Sequence, residues 1–477
     1  MKIFTPLLFW LCSVTAFGQS SALHEPEIDS VVHRDMELSQ APGAMVLVKK
    51  DGVTQFEKAY GLRNSKSKDP VTPSTLFLTA SVTKTLTTAA LLTVCNAKGI
   101  STDTPVGEIL PGLPEDLAEL TLHRILSQSS GILDHWPSRK KWKSDPKTYF
   151  MHFGNRLLSK ELEGVYSYTN FGHVLAGWIL SELQEQPFEE AMRDVLLGPL
   201  GMDHTTYSVV GENWQNHAAA HRNGKVVKHE YTFPLIRSSA SMFSTADDLS
   251  KFAECFMGKG TYKGEQVMPE EVVSMMSEQY TPVGVLHNYF GYPGSFYGYG
   301  LMSFSYGDIT FQGHPGETTT QNLLFAMAPN RKTSIVIMSN SGMFPFINTF
   351  EKLCTVYLSE DSDKTAEKDS VLRSGADRTR FDKENPDFDV EEYEGTYYHP
   401  SLGGSRGQVL EVYESNKNLY LRPSEDETYK LIPLQKDLFS YASPRFNFDL
   451  EIRFFRDRQG RVKYLNHYWK TAVRSGR

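Results

Sequence analysis

A serine and a lysine stand three residues apart where an apolar helical stretch begins. Ser81 and Lys84 precede the mainly apolar residues 86–95, and Gly99 is placed to end a helix. Residues three apart share a helix face, so the two side chains can touch. A lysine can take the proton of a serine hydroxyl where burial or nearby cations favour its neutral amine. The stretch predicts a serine nucleophile, with a simple helix cap as the alternative.

The Ser-x-x-Lys spacing is not specific by itself, because it recurs in three other places. These copies lie in short polar stretches typical of exposed loops, and they are Ser65 with Lys68, Ser138 with Lys141, and Ser144 with Lys147. Only the copy at Ser81 opens a helix that is apolar enough to bury its lysine.

Two further short motifs follow along the chain. Tyr168 and Asn170 flank Thr169 in a turn-rich stretch before an apolar helix, and His314 and Gly316 flank Pro315 beside an apolar strand. Taken alone, the motif of Tyr168 and Asn170 could be an ordinary turn, and the motif of His314 and Gly316 could be a loop that leads into a strand.

The elements expected to position these motifs are read from hydrophobic periodicity and turn residues. An Asp-Gly turn at 51–52 predicts a hairpin. The remaining expected elements are a helix at 174–183, a helix beginning near 244–245, strands at 309–312, 322–328 and 333–338, and a helix at 350–358.

In this order and these contexts, the three motifs resemble those of the serine β-lactamase and penicillin-binding superfamily. The similar branch holds class C β-lactamases, DD-carboxypeptidases and related esterases, whose second motif is Tyr-x-Asn. Residues 121–132, 168–177, 243–249 and 297–301 add to the resemblance, which covers about residues 25–358. It implies an α/β (α+β) β-lactamase/transpeptidase-like fold, an antiparallel sheet flanked by helices.

The resemblance implies a catalytic role for three residues. Ser81 would attack an acyl carbonyl and form an ester intermediate that water then cleaves. Lys84 and Tyr168 would share the proton transfers, and which of them acts as the base stays open. Positive charge near Tyr168 would favour its phenolate form.

The resemblance also implies the substrate contacts. Asn170 would hydrogen-bond the amide or carbonyl of the substrate, and the strand carrying His314 and Gly316 would pair with a peptide-like substrate. The backbone N–H groups of Ser81 and Glu317 would form an oxyanion hole. No cofactor or metal enters this scheme.

Two departures from the family pattern bear on the substrate. The third motif begins with His314, where typical class C β-lactamases have lysine, and Thr320 stands where relatives often have glycine. These differences favour small esters or D-amino-acid-type amides and peptides, as in a DD-carboxypeptidase or esterase. The alternatives are a true β-lactamase and a non-hydrolytic recognition or sensor module.

The composition of the chain limits the kinds of partner that it is expected to bind. The chain of 477 residues has a formal net charge of −8 and no block of basic residues, which argues against nucleic acid. Cys95, Cys255 and Cys354 are scattered and predict no disulfide framework. His217 and His221 have the spacing of a helical zinc pair but lack a third ligand, so no metal site is predicted. The expected partner is a small-molecule or peptide substrate, and the oligomeric state stays open.

The sequence divides into four predicted parts. Residues 1–18 have the charged start, short apolar run and small-x-small end of a signal peptide, which predicts export to the periplasm or medium and no stable membrane span. Residues 19–358 form the hydrolase domain, and residues 359–389 form a charged linker. Residues 390–477 contain five short alternating strands and resemble a small lipocalin-like β-barrel.

Overall fold

The computed structural model describes residues 17–134, 145–207, 215–228, 234–283, 295–358, 389–399, 408–442, 449–457, 459–467 and 470–475. Residues 1–16 of the predicted signal peptide and residues 359–388 of the predicted linker lie outside the described residues. The three boundaries between the four predicted parts therefore stay predictions.

Helices surround a large sheet in the hydrolase region. In the described ranges they are α1 (Phe17–Ser39), α2 (Thr83–Lys98), α3 (Val106–Ile109), α4 (Glu115–Ala118), α5 (Leu122–Leu126), α6 (Pro146–Phe153), α7 (Asn170–Gln184), α8 (Phe188–Met192), α9 (Arg237–Ala240), α10 (Ala246–Met257), α11 (Glu270–Ser277) and α12 (Phe346–Tyr357). None of these helices combines the length and the apolar character that crossing a bilayer requires.

The strands of the hydrolase region are short at its periphery and longer at its centre. Those described are β1 (Gly43–Lys50), β2 (Val53–Asn64), β3 (Asp69–Pro70), β4 (Phe77–Leu78), β5 (His221–Arg222), β6 (Lys225–Val226), β7 (Phe243–Ser244), β8 (Thr261–Tyr262), β9 (Glu265–Gln266), β10 (Thr281–Pro282), β11 (Phe296–Tyr297), β12 (Met302–Tyr306), β13 (Ile309–Glu317), β14 (Asn322–Ala328) and β15 (Thr333–Ser339).

Nine of the described strands form one antiparallel sheet in the order β10-β11-β12-β13-β14-β15-β1-β2-β3. Every residue of β14 and β15 is buried, because helices cover both faces of the sheet. Phe325 packs into the core that contains α2 and α7, whereas its neighbour Leu324 packs into the core that contains α1 and α12. This alternation is the strand period of two. The predicted antiparallel sheet flanked by helices is confirmed.

The local sequence signals place most of the central elements correctly. Asp51 and Gly52 both have positive φ angles, as a tight hairpin turn between β1 and β2 requires. The predicted helix at 174–183 is the core of α7, and Thr245 caps α10 by accepting a hydrogen bond from Asp248 N. One prediction was too short, because the strand expected at 309–312 continues to Glu317.

The C-terminal region is a closed antiparallel barrel. Its eight described strands are β16 (Gly395–His399), β17 (Gln408–Ser415), β18 (Asn418–Ser424), β19 (Glu427–Gln435), β20 (Leu438–Ala442), β21 (Asp449–Arg456), β22 (Val462–His467) and β23 (Lys470–Arg474). The sequence predicted five of them and missed β16, β20 and β23. Side chains such as Tyr397, Phe439 and Phe454 pack inside the barrel and form its core.

Candidate active site

The nucleophile of the sequence prediction lies in a tight turn that leads into a buried helix. Ser81 lies in the short 3₁₀ turn Ala80–Val82, directly before α2. Ala80 has a φ of 45°, a left-handed conformation that is unusual for a residue with a side chain. Such conformations cluster at functional sites, where surrounding contacts hold them in place.

Two potential proton carriers contact the Ser81 hydroxyl. Lys84 Nζ lies 3.1 Å from Ser81 Oγ, and Tyr168 Oη donates a hydrogen bond to the same oxygen over 2.8 Å. Lys84 Nζ also lies 4.9 Å from the centre of the Tyr168 ring. The structure therefore brings together the first and second motifs, which the chain separates by more than eighty residues.

Lys84 is fully buried, and its amine is held by fixed acceptors. Nζ donates to Asn170 Oδ1 over 2.8 Å and to the carbonyl of Ser239 over 2.9 Å. These two contacts direct the remaining hydrogen or lone pair of the amine to Ser81 Oγ. An ammonium would donate a third hydrogen bond there, and a neutral amine would accept the Ser81 proton. The geometry is compatible with Lys84 as the base.

Tyr168 does not have the phenolate character that the sequence predicted. Burial raises the pKa of Tyr168 well above its ordinary value, and the neighbouring Tyr297 raises it further. The hydrogen bond with Ser81 lowers it, but by less. The expectation of a favoured phenolate is therefore wrong, because loss of solvent outweighs the hydrogen bond with Ser81. The raised pKa favours Tyr168 as a neutral phenol, which can donate a proton.

Asn170 is held by groups that the sequence reasoning did not single out. Asp134 Oδ1 accepts a hydrogen bond from Asn170 N over 3.0 Å and lies 3.4 Å from Asn170 Nδ2. Gln128 bonds both backbone groups of Thr169, accepting from N over 2.9 Å and donating to O over 3.1 Å. Gln128 lies in residues 121–132, which added to the family resemblance as a stretch of sequence without any role being assigned to Gln128.

His314 lies behind Tyr168 and is fully buried. Its Nε2 is 3.2 Å from Tyr297 Oη, its Nδ1 is 2.6 Å from the Pro315 carbonyl, and its ring centre is 6.1 Å from that of Tyr168. Burial, together with the charge of Lys84, lowers the pKa of His314 to about 3. The imidazole is therefore neutral at physiological pH and offers no positive charge to a substrate.

The third motif lies at the end of β13, beyond the last residue of β13 that pairs with β12. β12 pairs with β13 only as far as Gly313, whereas β14 pairs along the whole stretch from His314 to Glu317. A β-carbon on Gly316 would lie 2.1 Å from the Thr79 carbonyl, so glycine allows the strand to approach the Ser81 turn. By strand alternation the Glu317 side chain lies on the opposite face, and only its backbone faces the site.

The competing candidates that the structure describes do not form sites, whereas Ser138, Lys141 and Ser144 lie outside the described residues. Lys68 is exposed, as expected for a loop copy of the Ser-x-x-Lys spacing, and Lys147 is also exposed. His217 and His221 lie on extended backbone rather than on a helix, and His221 Nε2 accepts a hydrogen bond from Ser65 N. In the part of the chain that the structure describes, no group of three or more potential ligands is arranged for a metal ion. The three described cysteines are free and buried.

A serine contacted by a lysine and a tyrosine, at the start of a buried helix beside an antiparallel sheet, is the arrangement expected of a serine hydrolase. The family model for Beta-lactamase matches residues 28–346, and the chain belongs to the Beta-lactamase family. The predicted membership of this superfamily is confirmed.

Individual relatives are distant in sequence. A β-lactamase of Providencia stuartii is 26% identical over 294 residues, which are 58% of this chain and 74% of that protein. "Protein flp" of Staphylococcus aureus strain MW2 is 26% identical over 193 residues, and the match spans only 38% of its length.

Solved structures share the fold at lower identity. The crystal structure of SurE superposes with a TM-score of 0.71 at 22% identity, covering 96% of this chain and 100% of that one. A class C β-lactamase from Rhodobacter sphaeroides superposes with a TM-score of 0.58 at 18% identity, covering 70% of this chain and 99% of that one. The SurE match therefore extends over nearly the whole chain, including the barrel.

Proposed function

We propose that this enzyme hydrolyses small esters or D-amino-acid-type amides and peptides through an acyl-enzyme on Ser81. The observation that carries the proposal is the position of Ser81 Oγ, which Lys84 and Tyr168 both contact beside the edge of β13 that β12 leaves after Gly313. A carbonyl entering along this edge can pair with the strand while Ser81 attacks it. The N–H groups of Ser81 and Glu317 would stabilise the resulting oxyanion.

Proton transfer in the proposed reaction follows from the resting geometry. Lys84 accepts the Ser81 proton as the hydroxyl attacks, and neutral Tyr168 donates its proton to the leaving group. Deacylation by water reverses these roles. Asn170 keeps the Lys84 amine in position through its Oδ1.

Two observations support an ester or D-amino-acid-type substrate. The imidazole of His314 is buried and neutral, so the third motif supplies no cation for a substrate carboxylate, which favours an ester or amide without a free carboxylate. The structural neighbour SurE has also been solved with D-Leu, and this is the second observation in favour of a D-amino-acid-type substrate. The similarity to the Providencia β-lactamase is the observation that keeps β-lactam hydrolysis as the second candidate.

The proposal can be tested with matched variants and matched substrates. We expect the wild-type enzyme to hydrolyse an activated acetate ester and to prefer the D form of an alanine ester or anilide over the L form. Ser81→Ala should abolish both activities, and Ser65→Ala, in the copy of the motif whose lysine is exposed, should leave them unchanged. Hydrolysis that survives Ser81→Ala would overturn the proposal.

Intact-mass spectrometry with a penicillin separates the remaining candidates. A lasting adduct of whole-drug mass on wild type but not on Ser81→Ala indicates slow deacylation, as in a DD-peptidase or a sensor. Turnover of the ester substrates then distinguishes the enzyme from the sensor. Loss of the drug without a lasting adduct indicates a β-lactamase.

We also propose that the enzyme is exported to the periplasm or medium. The charged start, apolar run and Ala16-Phe17-Gly18 sequence of residues 1–18 support this localisation. Expression of the full chain should then yield an extracytoplasmic protein whose mass corresponds to a start at Gln19. A glutamate in place of Ala16 should block this processing, and a cytoplasmic, uncleaved wild-type protein would contradict the proposal.

A further inference from the structure

The segment that carries Tyr168 is held on one side by the turn that follows α5. Gly164 N donates to the carbonyl of Ser129 over 2.8 Å, and Ser167 N donates to that of Gln128 over 2.9 Å. Together with the bonds between Gln128 and Thr169, these contacts fix one edge of the segment from 164 to 169. The rest of its backbone needs partners elsewhere.

The opposite partner comes from the C-terminal barrel. Thr471, on β23, donates a hydrogen bond from its hydroxyl to the carbonyl of Tyr166, two residues before the catalytic tyrosine. Thr471 is fully buried, and Asn466 Nδ2 donates to its Oγ1 over 3.0 Å. Since Thr471 accepts from Asn466, its single hydroxyl hydrogen is directed to Tyr166. β23 also packs near the turn Lys160–Leu162.

The backbone position of Tyr166 is connected to Tyr168 through an aromatic cluster. The buried Tyr166 ring lies 6.1 Å from the ring of Tyr297, measured between centres. The Tyr297 ring in turn contacts the Tyr168 ring edge to face, with 6.3 Å between ring centres. Tyr297 Oη lies 3.2 Å from His314 Nε2. A displacement of Tyr166 would therefore move the packing against which Tyr168 is aligned to Ser81.

We propose that Thr471 is a positioning residue for catalysis and that the barrel thereby completes the hydrolase site. The inference rests on the proposed function of Ser81 and Tyr168. Without the Thr471 hydroxyl, the buried carbonyl of Tyr166 has lost its barrel donor, and the segment carrying Tyr168 can shift. Small displacements of a proton-transferring group reduce the rate of the chemical step more than they reduce binding.

Three variants of the full-length protein test the proposal by ester hydrolysis. Thr471→Val keeps the shape but removes the hydroxyl, Thr471→Ser retains it, and Thr396→Val makes the same change on an exposed position of the barrel. We expect Thr471→Val to lower kcat by about 10-fold with little change in KM. Thr471→Ser and Thr396→Val should stay near wild type. An unchanged kcat for Thr471→Val would overturn the inference.

Hydrogen exchange tests the same contact without any substrate. The backbone amides of Gly164, Ser167 and Thr169 should exchange faster in Thr471→Val than in wild type. In Thr471→Ser and Thr396→Val they should exchange at the wild-type rate. If the wild-type protein hydrolyses none of the substrates, the proposed function fails and this measurement alone decides the inference. Equal exchange at 164–169 in wild type and Thr471→Val would then overturn it.

Discussion

Asn170 Oδ1 accepts a hydrogen bond from Lys84 Nζ over 2.8 Å, so the second motif orients the amine of the first. The sequence had assigned Asn170 to the substrate alone. Its oxygen is committed to Lys84 inside the protein, and its Nδ2 group lies 3.4 Å from Asp134 Oδ1. Asn170 therefore orients the Lys84 amine.

Replacement of Asn170 by leucine should impair proton transfer more than substrate binding. Leucine has a similar size but cannot accept from Lys84, so the amine loses one of the contacts that direct it to Ser81. We expect the rate of Ser81 acylation to fall by about 10²-fold, measured by single-turnover kinetics with an activated ester. Asn96→Leu, at an exposed hydrogen bond with Glu271, is the matched control and should have no effect. A rate within twofold of wild type would exclude this role for Asn170.

Tyr168→Phe should remove catalysis while preserving the neighbouring ring packing. The variant retains the contacts with Tyr297 and His314 but cannot donate to Ser81. We expect kcat to fall by about 10²- to 10⁴-fold, in the range of general acid–base catalysis.

The direction of the Tyr168 pKa gives a second readout for the same residue. Because burial raises this pKa well above 10.0, the phenolate should be absent at neutral pH. Ultraviolet titration of wild type and Tyr168→Phe should therefore coincide below pH 10. A phenolate signal near neutral pH that disappears in the variant would contradict the neutral phenol and favour Tyr168 as the base.

The sequence was sufficient to predict the parts of the site that depend on local order. The apolar residues after Ser81 predicted a helix that buries Lys84, and Asp51-Gly52 predicted the hairpin of β1 and β2. Those signals are short-range, because a helix face or a turn is specified within a few residues. The pairing of the motifs came instead from their resemblance to a known family.

The features that the sequence could not supply depend on long-range packing. Burial determines the raised pKa of Tyr168 and the neutral state of His314, and no local pattern reports which residues will cover a side chain. Asp134 and Thr471 contact the motif segment from distant parts of the chain, and nothing in their own neighbourhoods marks them. The missed strands β16, β20 and β23 are likewise fixed by closure of the barrel rather than by strong local alternation.

Gly316→Ala should disturb the Ser81 turn. The added methyl group would lie 2.1 Å from the Thr79 carbonyl, so either β13 or the turn must move. We expect a loss of stability of about 1 to 3 kcal/mol in thermal or urea unfolding, with a larger fall in the acylation rate. Gly172→Ala is the control near the same site, since its β-carbon would meet neighbours only at ordinary distances of 3.5 Å or more. Equal effects of the two changes would argue against a tight contact at Gly316.

Asp35 joins the first and last helices of the hydrolase region through a buried carboxyl group. Its oxygens accept from Asn348 Nδ2 and Thr349 Oγ1, both over 2.8 Å, at the start of α12. Burial raises the pKa of Asp35 to about 6, although these hydrogen bonds partly oppose the rise. The folded protein therefore binds the Asp35 proton more tightly than the unfolded chain does.

This pKa predicts that part of the stability is lost as the pH rises. The folded value of about 6 exceeds the ordinary 3.8, so the contribution of Asp35 is fully present below the lower value and lost as the pH rises through the higher one. The total change is about 3 kcal/mol. Asp35→Asn cannot ionise, so its free energy of unfolding in urea should fall less than that of wild type between about pH 4 and pH 7.

Asp29→Asn provides a control of opposite sign on the same helix. Burial acts to raise the pKa of Asp29, but hydrogen bonds from Lys58 and Tyr60 and the Lys58 charge outweigh it and leave the pKa lowered. The stabilising contribution of Asp29 is present at neutral pH and is lost as the pH falls through its lowered folded pKa, so Asp29→Asn should weaken the fold at neutral pH and matter little in acid. If Asp35→Asn followed the pattern of Asp29→Asn, the raised pKa of Asp35 would be refuted, because Asp35 stabilises the fold in acid whereas Asp29 stabilises it at neutral pH.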